Sequence, residues 1–242
     1  MKALVLAGGR GKRLGAATED INKCMIEVCA RPLITYSLDL LRNLPEISEI
    51  LTVVGYRAGD IINCIGNEYA GIPVHYVEQP EQKGLVHAIE CARDKIAGDD
   101  FMLMLGDELM KLPRHHEFLR EYDKSGVFAL CGVVKVANRA LISKTYSVRQ
   151  SEKAEILELV EKPGKPFNDL MGTGNCIFNN RIYDYIARTP VNAKRGEREL
   201  TDLIQVAIND GNTVKSFVIC DEYVNVNDPE ELRRSHSYFA HL

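Results

Sequence analysis

Glycines and basic residues stand together in a short segment near the start of the chain. Residues 8–13 read Gly-Gly-Arg-Gly-Lys-Arg, and they follow the apolar run 3–7. A glycine-rich turn after a strand lets backbone N–H groups approach phosphate oxygens, and basic side chains beside it neutralise their charge. The segment therefore predicts a phosphate-binding loop.

Several classes of nucleotide-binding protein carry glycine-rich loops. A dinucleotide-binding fingerprint requires a third glycine where Leu14 stands, and an acidic residue where residues 53–57 read VVGYR. The G-x-x-x-x-G-K-[ST] pattern of a Walker A loop does not occur in this segment. The remaining alternative is a solvated turn with no ligand, which three basic residues in one loop disfavour.

Other candidate residues follow predicted strands. Asp107 comes after the apolar run 101–105, and a carboxylate at the carboxyl edge of an α/β sheet suits magnesium bound to phosphates. Gln79 follows the predicted strand 73–78, and its amide can pair with the edge of a nucleobase. Glu161 can accept hydrogen bonds from hydroxyl groups, while Lys162 can pair with a phosphate.

The elements that must position these residues alternate between strands and helices, which is typical of an α/β fold with a doubly wound, mostly parallel sheet. The predicted strands are residues 2–6, 49–55, 73–78, 101–105, 127–134, 155–160, 174–178 and 213–219. The predicted helices are residues 32–44, 84–96, 114–124, 180–188 and 200–209, and Asp228-Pro229-Glu230-Glu231 predicts the cap of a last helix. Strands between 134 and 178 without an intervening helix predict a small antiparallel flap.

Composition narrows the classes of protein. The chain has 242 residues, 45% of them hydrophobic, which is ordinary for one globular domain. The net charge of −4 argues against nucleic-acid binding, and no apolar stretch is long enough for a signal sequence or a membrane span. Seven cysteines without a C-x-x-C pattern fit neither a zinc site nor a disulfide framework. We expect a cytoplasmic protein.

Taken in chain order, six motifs resemble the sugar-phosphate nucleotidyltransferases. Residues 6–14 match the family pattern L-A-G-G-x-G-x-R-L, Lys23 stands at the family's lysine position, and Arg31-Pro32-Leu33-Ile34 replaces its G-K-P-L-I. Further matches are QPEQKGL at 79–85, GD at 106–107, EKP at 161–163, GTG at 172–174 and RGERELTD at 195–202. The resemblance covers nearly the whole chain.

This resemblance implies a magnesium-dependent reaction in which an acceptor phosphate attacks the α-phosphorus of a nucleoside triphosphate. It implies Arg13, Lys23 and Asp107 as catalytic residues, with Arg13 on the leaving β,γ-phosphates and Lys23 on the α-phosphate. The implied nucleotide-binding residues are Leu6, Ala7, Gly8, Gly9, Gly11, Lys12, Arg13, Gln79 and Gly84. The implied acceptor-binding residues are Glu161, Lys162, Gly174 and Arg195, and the implied metal ligands are Asp107 and Asn225.

Two positions depart from the family pattern. Asn225 stands where relatives carry an aspartate, so its uncharged amide oxygen would hold the metal more weakly or share it with Asn227. Ser147 replaces a glycine whose backbone lies against the hexose in sugar-binding relatives, which questions a hexose 1-phosphate as acceptor.

Together these features predict one domain, residues 1–242, in which residues 1–110 bind the nucleotide and residues 111–242 bind the acceptor. The expected partners are a nucleoside triphosphate, with pyrimidines slightly favoured, and a phosphorylated small molecule, most simply a sugar 1-phosphate. A homodimer is an open possibility, and neither nucleic acid nor membrane is expected. Only one predicted helix follows Asn225, so we expect activation without an acyltransferase or assembly domain.

Three alternatives stay open at this point. The first is a cytidylyltransferase for a phosphocholine-like phosphate or a phosphonate, which the departures at Ser147 and Asn225 favour. The second is a regulatory domain that binds nucleotide without turnover, which the missing charge at Asn225 favours and the presence of Arg13, Lys23 and Asp107 opposes. A dinucleotide-dependent oxidoreductase is a distant third.

Overall fold

A mixed β-sheet forms the centre of the molecule. The structure is a computed structural model that describes residues 1–239, so the last three residues of the predicted 111–242 half lie outside it. The strands are β1 (Lys2–Leu6), β2 (Glu27–Val28), β3 (Arg31–Pro32), β4 (Glu49–Val54), β5 (Glu68–Tyr69), β6 (Ile72–Glu78), β7 (Phe101–Leu105), β8 (Glu108–Lys111), β9 (Ala129–Lys135), β10 (Tyr146–Gln150), β11 (Ile156–Glu161), β12 (Leu170–Phe178), β13 (Val214–Val218) and β14 (Glu222–Asn225).

The sheet has a parallel centre and an antiparallel extension. Its strand order is β11-β10-β12-β7-β1-β4-β6-β5, and β9 pairs with both β12 and β13. Strands β7, β1, β4 and β6 are parallel neighbours, whereas β12 runs antiparallel to β7 and β10 runs antiparallel to β12. The predicted flap is therefore continuous with the main sheet, because β10 and β11 form one of its ends.

Helices cover both faces of this sheet. They are α1 (Leu33–Leu41), α2 (Ala58–Ile65), α3 (Leu85–Cys91), α4 (Arg93–Ile96), α5 (His115–Ser125), α6 (Leu200–Asn209) and α7 (Pro229–Phe239), with 3₁₀ segments at Lys12–Thr18, Lys23–Met25, Arg139–Lys144 and Asn180–Arg188. Apolar residues of α1, α2 and α5 pack on one face, and those of α3 and α6 pack on the other. The doubly wound α/β prediction is thus confirmed.

The order of the parallel strands positions the site. The chain proceeds from β1 outward to β4 and β6, then crosses the other face to return beside β1 as β7. In open α/β sheets, ligands bind at the carboxyl edge where the strand order reverses in this way. The loops after β1 and β7 therefore lie side by side at this edge.

Two short antiparallel sheets flank that edge. Strand β14 pairs with β8, which directly follows β7, and this pairing sets Asn225 opposite Glu108. The hairpin β2–β3 carries Cys29 and Ala30 in its turn, both with positive φ. No helix within residues 1–239 is long and apolar enough to cross a membrane.

Some predicted elements differ from the observed ones. Residues 180–188 form a 3₁₀ segment rather than an α-helix, and the predicted helix 84–96 is divided into α3 and α4 at Ala92. The predicted helix 32–44 ends at Leu41. The predicted cap of α7 is present, since Glu231 N–H donates to Asp228 Oδ1 at 2.9 Å.

Candidate active site

A cleft of about 420 Å³ opens at the carboxyl edge of the parallel strands. The cleft brings together every residue that the sequence predicted for the site. These are Leu6, Ala7, Gly8, Gly9, Gly11, Lys12, Arg13, Lys23, Gln79, Gly84, Asp107, Glu161, Lys162, Gly174, Arg195 and Asn225. Their common location agrees with one shared site, whereas the role of each residue stays a prediction.

The glycine-rich loop leaves β1 tightly bound to its neighbours. Ala7 N–H donates to Val53 O at 2.8 Å, and Gly8 O accepts from Tyr56 N–H at 3.2 Å. Gly11 has φ +71°, and a Cβ there would lie 2.9 Å from Lys23 Cβ. Only glycine fits this position without strain, so the loop and the lysine after it are closely packed.

Arg13 of the loop and Lys23 share one hydrogen-bond acceptor, the side-chain oxygen of Asn227. Arg13 Nη2 donates to Asn227 Oδ1 at 3.0 Å, and Lys23 Nζ donates to the same oxygen at 2.7 Å. Lys23 also forms an ion pair with Asp107 Oδ2, and its side chain is only 9% exposed. By contrast, Arg10 lies over the ring of Tyr56, 5.0 Å from its centroid.

Asp107 lies in the turn before β8 and Asn225 ends β14, so the β8–β14 pairing holds the two residues together. Val226 N–H donates to Asp107 O at 3.0 Å, which fixes the two segments beside each other. One carboxylate and one amide oxygen suit a magnesium ion whose other ligands are substrate phosphates and water. Asn227 Oδ1 faces two cations instead, so it does not share such a site as the structure stands. Residues 1–239 contain no cluster of three or more His, Cys, Asp and Glu side chains suited to a metal ion.

Behind Asp107, Glu108 is buried in a network of donors. Its Oε1 accepts from Gly174 N–H at 2.7 Å and from the Tyr223 hydroxyl, and its Oε2 accepts from Asn175 Nδ2 at 2.6 Å. Burial raises the pKa of Glu108 to about 8, although these donors oppose the shift. Glu108 therefore ties β8 to β12 and β14 beneath the cleft.

The same network ends at His115. Because Asn175 uses its Nδ2 toward Glu108, its Oδ1 accepts from His115 Nε2 at 2.9 Å. Burial lowers the pKa of His115 to about 4, and its Nδ1 has no partner among the described residues. The imidazole is thus neutral at neutral pH, and it joins α5 to β12 through Asn175.

On the nucleobase side, the Gln79 amide has a fixed orientation. Its Nε2 donates to Gly84 O at 3.1 Å and lies 3.1 Å from His87 Nδ1. A Cβ on Gly8 would lie 2.9 Å from Gln79 Oε1, so this oxygen faces the loop backbone. The carbonyl oxygen of the Gln79 amide is therefore directed at the glycine-rich loop, and its nitrogen is directed at Gly84 O.

Across the cleft, the predicted acceptor residues form a charged cluster. Glu161 Oε1 lies 3.1 Å from Lys162 Nζ and 3.6 Å from Arg195 Nη1. Arg195 Nη1 also pairs with Glu199 Oε1 at 2.9 Å, and burial raises the pKa of that carboxyl. Two basic groups beside carboxylates can bind a phosphate and hydroxyl groups together.

Ser147 has a structural role that the sequence did not indicate. It is fully buried, and its hydroxyl accepts from Phe167 N–H at 3.0 Å. The side chain is therefore engaged with the 167 segment and does not line the cleft, whereas its consequence for the acceptor stays a prediction.

Three residues of the cleft were not predicted as binding or catalytic residues. Tyr223, Asn227 and Lys144 all line it; Asn227 was expected only as a possible partner of Asn225 on a metal, and the other two had no predicted role. The pairing of β14 with β8 brings the first two there from the far end of the chain. A spaced pair of asparagines, Asn225 and Asn227, was the one available signal.

Comparisons with known proteins agree with this geometry. Residues 2–227 match a family described as nucleotidyl transferase. The chain is 33% identical to UTP–glucose-1-phosphate uridylyltransferase AglF of Haloferax volcanii over 96% of its own length and 93% of that protein's. It is also 33% identical to a glucose-1-phosphate thymidylyltransferase of Streptomyces griseus, but spans only 65% of that longer chain.

Solved structures of similar fold extend over the full chain. A putative glucose-1-phosphate thymidylyltransferase from Bacillus anthracis has a TM-score of 0.89 and covers 100% of this chain and 96% of its own. A UDP-glucose pyrophosphorylase complexed with UDP-glucose has a TM-score of 0.85, with 99% and 98% covered. Both are 22% identical to this chain, so this likeness concerns the fold.

Proposed function

The chain belongs to the nucleotidyl transferase family, and from this we propose that it joins a nucleoside triphosphate to a sugar 1-phosphate, releasing pyrophosphate. One observation carries the proposal. Arg13, Lys23 and Asp107 face a single cleft together with Glu161 and the acceptor-side cations. The cleft therefore has two phosphate-binding sides, as a transfer between two phosphorylated molecules requires.

The reaction needs charge stabilisation more than proton transfer. A phosphate monoester has its second pKa near about 6, so it is largely ionised at neutral pH and needs no general base. Its oxygen attacks the α-phosphorus, and the bond from that phosphorus to the bridging oxygen of pyrophosphate breaks. Both reactants are anions, so catalysis depends on holding them in line and on stabilising the leaving charge.

Arg13 of the loop and Lys23 would supply that stabilisation of charge. We assign Arg13 to the β,γ-phosphates, because a guanidinium binds two phosphate oxygens in a fixed geometry, and Lys23 to the α-phosphate. Asp107 and Asn225 would hold Mg²⁺, which would offset the negative charge of the phosphates. Lys23 is paired with Asp107, so its ammonium group lies beside the place where phosphate charge would enter.

The orientation of Gln79 supports a base with an N–H on its pairing edge. Since its Nε2 is engaged by Gly84 O, its Oε1 is the atom that can accept from N3–H of uracil or thymine. Cytosine offers an acceptor at the same position. We therefore propose UTP or dTTP as the nucleotide, which agrees with the names of the relatives.

We also propose a cytoplasmic reaction within one domain, as the free cysteines support. Under this proposal Asn225 and Asn227, which belong to the second half of the sequence, would act beside Arg13 on the triphosphate.

The decisive experiment crosses four nucleoside triphosphates with hexose 1-phosphates, phosphocholine and a phosphonate, and measures pyrophosphate release with Mg²⁺. We expect turnover with UTP or dTTP and a hexose 1-phosphate. Turnover restricted to CTP and phosphocholine would replace the proposal with a cytidylyltransferase. Nucleotide binding with no pyrophosphate from any pair would favour a regulatory domain.

Site variants test the residue roles. We expect Arg13→Ala and Asp107→Asn each to lower kcat at least about a hundredfold while the fold is retained. Arg10→Ala is the matched control, because Arg10 stacks on Tyr56, and its kcat should stay near wild type. Near-normal turnover in both site variants would refute the assignment.

A further inference from the structure

Asn227 stands at the centre of the hydrogen bonds that organise the triphosphate side. Its Oδ1 accepts from Arg13 Nη2 at 3.0 Å and from Lys23 Nζ at 2.7 Å. Its Nδ2 donates to Asn225 Oδ1 at 2.5 Å. An amide is required for this pattern, since the residue must accept at one end and donate at the other.

The backbone of Asn227 is fixed as well. Its N–H donates to Glu231 Oε2 at 2.8 Å, and the other oxygen of Glu231 lies 3.2 Å from Lys144 Nζ. Asp228 caps the same helix by accepting from Glu231 N–H, and its carboxylate also pairs with Lys144 at 3.0 Å. The start of α7 therefore holds the Asn227 side chain at a defined distance from the glycine-rich loop.

We propose that Asn227 is a positioning residue that holds Arg13 and Lys23 in place for the triphosphate without neutralising them. The proposal rests on the function proposed above. A neutral carbonyl oxygen can orient both cations through hydrogen bonds and leave their charge available to the phosphates. A carboxylate at the same place would orient them too, but it would compete with the phosphates for them.

The charges around position 227 explain why an amide and a carboxylate there would differ in their effect on phosphate binding. Asp107 already offsets one of the two positive charges, because it forms an ion pair with Lys23. A second carboxylate at position 227 would offset the charge of Arg13 also, and the pair of cations would then present no net positive charge to the triphosphate. With Asn227, one positive charge stays in excess at the site.

Asn227→Asp separates positioning for phosphate from a merely structural role. The substitution is nearly isosteric and turns the two hydrogen bonds from Arg13 and Lys23 into ion pairs, but it also removes the N–H donor toward Asn225 Oδ1. A merely structural role therefore predicts the same change in affinity for uridine, UMP and UTP. Our proposal instead predicts a loss of affinity that grows with the number of phosphates on the ligand. We expect the Kd for UTP to rise at least about tenfold, because like-charge juxtaposition opposes binding. The Kd for UMP should rise less, and the Kd for uridine should stay unchanged.

The measurement is calorimetric titration of uridine, UMP and UTP without an acceptor, with Mg²⁺ and again with EDTA. The loss for UTP should persist in EDTA, because Arg13 and Lys23 contact phosphates directly. Asn63→Asp is the charge-matched control, since Asn63 is exposed on α2, and it should bind all three ligands as the wild type does. Thermal unfolding checks that each variant is folded.

Any one of three results would overturn the inference. The first is equal UTP affinity in Asn227→Asp and the wild type, and the second is an equal loss of affinity for uridine and UTP. The third is a loss of UTP affinity seen only with Mg²⁺, which would locate the effect at Asn225. If Asn227→Asp fails to fold, Asn227→Ala replaces it. That variant removes the shared acceptor, so UTP affinity should fall while uridine affinity is retained, and equal UTP affinity would refute the proposal. Absence of binding of both UTP and dTTP to the wild type would instead refute the proposed function.

Discussion

Mild acid should destabilise this protein through His115, and His115→Gln should remove that part of its acid sensitivity. His115 is 4% exposed, and it donates from Nε2 to Asn175 Oδ1. Burial lowers the pKa of the imidazole from 6.5 to about 4. Glutamine at this position retains an N–H donor toward Asn175 but cannot take up a proton in this range.

The sign and size of the effect follow from proton linkage. The unfolded chain binds a proton at His115 below about pH 6.5, whereas the folded chain does so only near about pH 4. Between these values the unfolded state binds more protons, so the free energy of unfolding falls as the pH is lowered. Each pH unit is worth about 1.4 kcal/mol, so the loss at about pH 5 is roughly 2 kcal/mol relative to neutral pH.

Urea unfolding followed by circular dichroism measures this directly. Between about pH 8 and about pH 5, the wild type should lose roughly 2 kcal/mol more than His115→Gln. The comparison cancels the titration of carboxylates common to both proteins. At about pH 8 the variant should already be less stable by about 1 kcal/mol, since the ring contact with Phe118 is lost.

His116→Gln is the matched control, because it removes an exposed imidazole from the next position of the same helix. Its stability should follow the wild-type dependence on pH. Parallel curves for the wild type and His115→Gln would refute the reasoning, since they would mean that the buried imidazole takes up its proton equally in both states.

Three further substitutions have expected outcomes. Glu108→Gln should remove a pH effect of the opposite sign. Because the pKa of Glu108 is about 8 in the folded chain against 4.5, the stability of the wild type falls as the pH rises between these values. Urea unfolding should therefore show the variant gaining roughly 2 kcal/mol on the wild type between about pH 6 and about pH 8. Ala30→Gly should stabilise the β2–β3 turn by about 1 kcal/mol, because Ala30 has φ +60°; an unchanged or lower Tm would contradict this. Gly174→Ala should lower the free energy of unfolding by about 1–3 kcal/mol, because the added Cβ would overlap the Leu105 side chain and lie 2.7 Å from Glu108 Oε1. Gly59→Ala is the control: its Cβ would meet open space, so this substitution should not lower Tm.

Local sequence pattern was sufficient to predict the bounds of two central strands and one helix. Strands β1 and β7 and helix α6 have the predicted bounds, because continuous apolar runs and helical periodicity both reflect burial along one element. The turn chemistry that closes helices was harder to read. Ala92 interrupts the segment 84–96 although nothing in its residue type marks a break.

The candidate site was predicted where motifs are contiguous and missed where it depends on distant pairing. The match to the nucleotidyl transferase family confirms the resemblance on which the motif assignments were based. In contrast, β8 and β14 are four-residue strands from opposite halves of the chain, too short for a reliable periodic signal. Because Asn227 reaches the loop through that pairing, no local pattern could indicate that it contacts Arg13 and Lys23.

The position of Asp107 argues for turnover rather than for nucleotide binding alone. A protein that only binds a triphosphate gains nothing from a carboxylate among its phosphate-binding cations, because the carboxylate repels the ligand and pairs with Lys23. Under the proposed function the carboxylate would become favourable, because a bound divalent cation would offset its charge and that of a leaving pyrophosphate. The uncharged Asn225 adds no second carboxylate there, and no acidic side chain within residues 1–239 forms an ion pair with Arg13. The departure at Asn225 is therefore compatible with catalysis, and it favours a site tuned to anionic ligands.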